Sequence, residues 1–195
     1  MERLIVATNN AGKAREIKAM TEGFEVLSLK DAGIVADVVE DGTTFLENAA
    51  KKATEISGMV EGLVLADDSG LCVDGLGGAP GVYSARFSEE GTDAANNAKL
   101  IAAIKDMDEE QRRGRFVCAM VVAAGGEVIF SCEGKVEGVI IPEERGDGGF
   151  GYDPMFYVKE YGKTFGELSA DEKNLISHRA NALKQVAEFL SSYGK

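Results

Sequence analysis

One histidine, His178, is all this sequence carries, and that scarcity rules out a metal site or catalytic triad built from several imidazoles. Cysteine is nearly as sparse. Cys72, Cys118 and Cys132 lack the CxxC spacing of a zinc or redox motif, and each sits in an apolar run, the setting of a buried reduced thiol. Cations are few and dispersed: 21 Lys and Arg against 33 Asp and Glu leave a formal net charge of −12. Non-specific nucleic-acid binding draws on clustered Lys and Arg that release counterions, so the composition speaks against that function. No apolar run is long enough to span a membrane, and repeats, low-complexity tracts and linkers are absent. Met1 leads straight into the strand-like Leu4-Ile5-Val6-Ala7. It has none of the charged and apolar regions of a signal peptide, so a cytoplasmic location is expected.

What is present is ordinary globular material. The 195 residues are 45% hydrophobic and 28% charged, enough for one domain that buries roughly 70% of its unfolded surface without disulfides or a structural metal. Arg3 to Ala7 reads as a buried strand ending at Thr8-Asn9-Asn10, followed by a helix carrying Ala14, Ile17 and Met20 on one face. A second strand starts at Phe24, and a second helix, Phe45 to Ile56, follows the polar stretch 37–44. Leu63-Val64-Leu65-Ala66 is too short for a helix and is predicted to be a buried strand ending at Asp67. Thr92 to Met107 is helical. Two apolar arms around Gly125-Gly126 predict a hairpin with a tight turn. A closing helix bears Leu183, Val186 and Leu190. The order predicts an α/β fold with a mixed sheet.

Five segments carry chemistry. The loop Thr8-Asn9-Asn10-Ala11-Gly12-Lys13 joins a strand to a helix start, where backbone N–H groups and the helix dipole favour an anion and Lys13 adds a full charge. Its spacing is not that of a Walker loop. The acidic step Asp67-Asp68-Ser69-Gly70 places two carboxylates side by side, an arrangement that repels itself unless a cation compensates. Mg²⁺ prefers such hard oxygen ligands; Glu40 is a plausible second ligand, with Asp41 and Glu47 as rivals. Asn48 and Lys52 share one helix face. In the glycine loop, residues 146–154, the glycines admit close approach of a ligand, and Phe150 and Tyr152 offer flat faces for a base. Ser169 and Glu172 fit a capping box ahead of Lys173, Ser177, His178 and Arg179, a set of donors near the final helix.

Read together, these segments resemble the inosine triphosphate pyrophosphatase family, which removes noncanonical purine nucleoside triphosphates. The resemblance rests on TNNAGK at 8–13, EDGTTFLENAAKKA at 40–53, ADDSGLCVDGLGGAPGVYSARF at 66–87, GRFVC at 114–118, GDGGFGYDPMF at 146–156 and EKNLISHRANAL at 172–183. It implies an elongated mixed β-sheet flanked by helices, in two lobes with the active-site cleft between them. The whole of residues 1–195 would then be a single two-lobed nucleoside triphosphate pyrophosphatase domain, dimeric as is usual in the family.

The resemblance also implies roles. Thr8, Asn9, Asn10, Ala11, Gly12 and Lys13 would bind the triphosphate, assisted by Lys52. Glu40 and Asp68 would hold Mg²⁺, and Asp68 would be the general base, with Asp67 supporting it and Ser69 touching substrate. Phe150, Gly151, Tyr152 and Asp153 would surround the base and sugar, Phe150 stacking. Lys173, His178 and Arg179 would read the 6-keto oxygen that hypoxanthine and xanthine share and adenine lacks. The expected reaction converts ITP, dITP or XTP to the monophosphate and pyrophosphate. A pyrophosphatase for another modified nucleotide and a nucleotide-binding regulatory module without hydrolysis are the alternatives.

Overall fold

The computed structural model describes residues 2–21 and 23–193, Glu2 through its backbone alone. The chain runs β1 (Glu2–Val6), α1 (Ala11–Met20), β2 (Phe24–Ser28), α2 (Phe45–Ser57), β3 (Leu63–Val73), α3 (Asp93–Ile104), β4 (Arg113–Ala124), β5 (Glu127–Ile140), β6 (Phe156–Val158), β7 (Lys163–Thr164), α4 (Ala170–Ile176) and α5 (His178–Ser192). Seven strands form one sheet in the order β2-β1-β3-β4-β5-β6-β7. β1 pairs in parallel with both β2 and β3, whereas β6 is antiparallel to β5 and to β7. The sheet is therefore mixed and flanked by helices, as the alternation of elements predicts.

Two compact units divide the chain. One gathers the residues up to Asp68, Cys118–Gly134 and the chain from His178 onward; the other holds Ser69–Val117 and Lys135–Ser177. Each has its own core. In the first, Leu4, Val6, Leu63 and Leu65 of the strands pack with Ile17 of α1 and with Leu183, Val186 and Leu190 of α5. These strand residues alternate along the chain, so one sheet face receives both helices. In the second, Leu71 and Val73 pack with Leu100 and Ile104 of α3 and with a cluster of Phe116, Phe156 and Phe165. The Phe116 and Phe156 ring centroids lie 4.6 Å apart, a separation that adds to simple burial.

Local chemistry sets the element ends. Thr44 and Glu47 close a reciprocal capping box on α2, and Ser169 and Glu172 close another on α4, so two orphan N–H groups are satisfied at each start. Gly125 and Gly126 take φ of +58° and +85°, the left-handed pair that a two-residue hairpin between β4 and β5 requires. At Gly134 of β5 a Cβ would collide with the carbonyl of His178 and the backbone of Ala182. The absent side chain lets α5 lie directly on the strand.

One expectation needs correcting. The strand that was to stop at Asp67 continues through Asp68, Ser69 and Gly70 to Val73. An acidic pair followed by Ser-Gly has the composition of a turn, but both carboxylates are compensated by side chains from the neighbouring helices, so the backbone can remain in the sheet. The geometry of that compensation is the core of the site.

Candidate functional site

Successive residues of a strand point to opposite faces, and β3 uses this to separate its two carboxylates. Asp67 continues the alternation of Leu63 and Leu65 toward α1 and α5. It is wholly buried, and its Oδ2 lies 3.1 Å from Lys13 Nζ of α1 and 3.3 Å from Arg179 Nη2 of α5. Burial alone would raise its pKa. The cations Lys13, Arg179 and Lys52 outweigh that effect and hold the carboxyl well below the ordinary range. Arg179 is itself buried and also pairs with Glu16. Asp67 therefore locks α1 and α5 onto the strand.

Asp68 turns to the other face, where Asn48 of α2 donates to its Oδ2 at 2.9 Å. The same amide's Oδ1 accepts the Gly42 N–H at 2.8 Å, so one buried side chain ties the loop before α2 to the acidic step. Burial pushes the Asp68 carboxyl above its ordinary value. Lys13, Asn48 and Lys52 oppose that shift, and the neighbouring Glu40 carboxylate adds to it. Lys52 Nζ meets Glu40 Oε1 at 2.5 Å and the Asp67 carbonyl at 2.9 Å. Glu40, Lys52, Asp68, Lys13 and Asp67 thus form one electrostatic cluster.

The three loop acids have different surroundings. Asp41 is exposed and pairs with Lys51 at 2.7 Å, and Glu47 is consumed by the α2 cap, accepting from Thr43 and Thr44. Glu40 alone of the three stands beside Lys52 and acts on Asp68.

In the N-terminal loop, Thr8 Oγ1 accepts the Asn10 N–H at 3.1 Å and Asn10 Oδ1 accepts the Lys13 N–H at 3.0 Å. Asn10 is the N-cap of α1. The turn is preorganised, and Asn9, Asn10 and Ala11 remain open to solvent while Gly12 is partly covered. His178 opens α5 and is almost fully buried.

The second unit carries the other predicted group. Asp153 Oδ2 accepts the Phe150 N–H at 2.9 Å and Lys173 Nζ at 2.6 Å, and both charged side chains are all but inaccessible. Lys173 Nζ also stands 4.9 Å from the Phe150 ring centroid, a cation–π arrangement. Gly149 makes this possible: its φ is +72°, and a Cβ there would strike the Asp153 carboxylate. Ser69, in β3, is partly covered. Tyr152 corrects the reading of both loop aromatics as base platforms. Its ring belongs to the second core and its hydroxyl donates to the Ser84 carbonyl at 2.6 Å. An aromatic among glycines looks available in sequence, but this one fills the interior; Phe150 keeps partial exposure.

A model of the Ham1 family matches residues 4–189. The chain belongs to the Ham1 family. It is 48% identical over 195 residues to the dITP/XTP pyrophosphatase of Bacillus subtilis, covering 98% of both. It is 50% identical over 193 residues to that of Bacillus licheniformis, covering 97% of this chain and 98% of the relative. Among solved structures, the Staphylococcus aureus Ham1 protein superposes with a TM-score of 0.86 at 38% identity, over 97% of this chain and 98% of that one. The Mycobacterium abscessus nucleoside-triphosphatase / dITP/XTP pyrophosphatase gives 0.75 at 39%, over 94% and 98%.

Two further residues bear on the site and escaped the sequence reading. Asp93 and Asn97 of α3 bond to the peptide of Gly151. The available signal was their spacing of four, which places both on one helix face, but an Asp at a helix start ordinarily reads as a cap.

Proposed function

We propose that this chain hydrolyses noncanonical purine nucleoside triphosphates, dITP, ITP and XTP, to the monophosphate and pyrophosphate. The observation that carries the reading is the division of β3: Asp67 anchors Lys13 on one face while Asp68, raised in pKa, stands with Glu40 and Lys52 on the other. A sensor that only binds nucleotide needs phosphate-facing cations but not a second buried carboxylate beside them, raised in pKa and bonded to an amide.

In this reading the Thr8–Lys13 loop and Lys52 receive the phosphates. Lys13 and Lys52 offset negative charge on the departing pyrophosphate, where preorganised cations contribute most. Asp68 takes the proton of the water that attacks the α-phosphorus. Stacking on Phe150 holds the base, and the family resemblance gives its 6-keto oxygen to Lys173, His178 and Arg179; Lys173 is paired with Asp153 and Arg179 with Asp67 and Glu16, so the base would have to share those donors. The amino group of adenine would leave such donors unpaired, a mismatch that discriminates by roughly 10⁴-fold.

The residues fit Mg²⁺. The donors are the hard carboxylate oxygens of Glu40 and Asp68, two like charges that act on one another and that a cation would compensate. Few protein ligands suit an ion that keeps waters and substrate phosphates in its shell. Glu40 and Asp68 would hold it. When bound, Mg²⁺ would neutralise phosphate charge and lower the pKa of its water. A homodimer, which the family resemblance implies, and a cytoplasmic location, which the sequence leads one to expect, belong to the same proposal.

The test is a steady-state comparison of dITP, ITP, XTP, GTP, ATP and dTTP with product analysis. Monophosphate and pyrophosphate from the first three are expected, and inorganic phosphate as the first product overturns the α-phosphorus assignment.

A further inference from the structure

The glycine loop is held from a direction that the assigned residues do not explain. Asp93, the first residue of α3, accepts the Gly151 N–H through Oδ2 at 2.8 Å. Asn97, one turn later, donates through Nδ2 to the Gly151 carbonyl at 3.1 Å and to Glu144 Oε1 at 2.6 Å. Asn97 is nearly fully buried. Both polar groups of one glycine are therefore gripped by a single helix face. Gly151 has φ of +60°, a conformation that a side chain would disfavour and that leaves its N–H and carbonyl turned to α3.

Phe150 precedes that glycine directly, and its own N–H is bound by Asp153. The peptides on both sides of the aromatic residue are thus anchored, one to Asp153 and the next to Asp93, and Asn97 holds the peptide that follows. Loops rich in glycine lose much conformational entropy on ordering, so a ring standing on such a loop is fixed in height and tilt only where its backbone is tied down. Helix α3 is a rigid source of ties: Leu100 and Ile104 root it in the core, and adjacent Asn96 secures residues 84–88 through the Ser88 N–H and the Ala85 carbonyl.

We infer that Asp93 and Asn97 are positioning residues that clamp the Gly151 peptide and thereby hold Phe150 as a preformed platform for a purine base. The inference rests on the proposed function in assigning the base to Phe150; the clamp itself does not.

The experiment uses the full chain and three variants, Asp93→Ala, Asn97→Ala and Asp93→Asn. The last keeps an acceptor oxygen at the same position. Amide hydrogen exchange of the nucleotide-free protein reads the clamp: Gly151 is protected in the wild type and in Asp93→Asn, and loses protection in Asp93→Ala. Kinetics read the platform. In the two alanine variants KM for dITP rises about tenfold, the scale of one weakened base–aromatic stack, while kcat changes less than about threefold. Inhibition by inorganic tripolyphosphate, which has no base, is unchanged in all three variants, an invariance that general loss of structure would not preserve. Asp93→Asn restores the wild-type KM.

Unaltered exchange at Gly151 in Asp93→Ala overturns the clamp. Lost protection with an unchanged KM overturns the link to Phe150, as does equal weakening of dITP and tripolyphosphate. A wild-type protein that protects Gly151 but leaves dITP intact refutes the proposed function and the platform with it, leaving the clamp standing.

Discussion

Asn48 Nδ2 donates to Asp68 Oδ2 at 2.9 Å while its Oδ1 receives the Gly42 N–H at 2.8 Å. Both ends of this buried amide are used, and Gly42 must lack a side chain because a Cβ would stand 2.7 Å from Asn48 Oδ1. Asn48→Ala strips both bonds at once. The expected cost is about 1–3 kcal/mol in urea unfolding, the penalty for leaving buried polar groups unmet, together with a fall in kcat. Unfolding at the wild-type midpoint would show that water replaces the amide.

Asp68→Asn is expected to reduce kcat by roughly 10²–10⁴-fold, the usual worth of a positioned base. Calorimetric binding of dITP to the variant should survive. Near-normal turnover would remove Asp68 from the mechanism.

Asp67→Asn addresses the other face of the strand. Lys13 and Arg179 would keep their charges and lose a buried carboxylate, and breaking a buried pair typically costs about 3–5 kcal/mol. Denaturant unfolding measures this directly. A loss below about 1 kcal/mol, the scale of a surface pair, would mean that Glu16 alone suffices for Arg179.

Phe150→Ala removes the partly exposed aromatic of the glycine loop. KM for dITP should rise about tenfold, as for one lost base–aromatic stack. Unchanged KM and kcat would place the base elsewhere.

The thiols give a pH prediction. Burial pushes Cys132 up to about 11, with Glu133 adding to the shift; burial and then Asp67 push Cys118 higher still. Both are raised in the folded state, so the stability they contribute is whole below the unfolded thiol value of ~8.5 and is lost as pH rises from there toward the folded values. The urea midpoint should fall over that alkaline window, and Cys132→Ala should flatten part of the slope. At pH 8, maleimide should label Cys132 slowly until the chain is unfolded; rapid labelling of the folded protein would contradict its raised pKa.

Much of this was legible in the chain. The Gly125-Gly126 hairpin, the Ser169 cap and the helical faces all follow from local chemistry that few tertiary contexts override. Three features were not. The passage of β3 through Asp67 and Asp68 depends on cations and an amide delivered by helices far away in sequence, so nothing local distinguishes it from a turn. The burial of Tyr152 depends on the Ser84 carbonyl, 68 residues distant. The grip of α3 on Gly151 depends on partners more than 50 residues apart. In each case a polar group is satisfied by a remote partner that pattern reading cannot supply.

The pleat of β3 has a consequence for inheritance of change. Because Asp67 and Asp68 serve opposite sides, their roles are set by parity along the strand rather than by which carboxylate lies nearer a ligand. A deletion or insertion of one residue anywhere between Leu63 and Asp67 would exchange their neighbourhoods, presenting the Asn48 side with the anchor and the Lys13 side with the reactive group. Such a chain could keep every acid and every cation and still lose its chemistry. The sequence between those positions is therefore constrained in length as strictly as the two aspartates are constrained in kind.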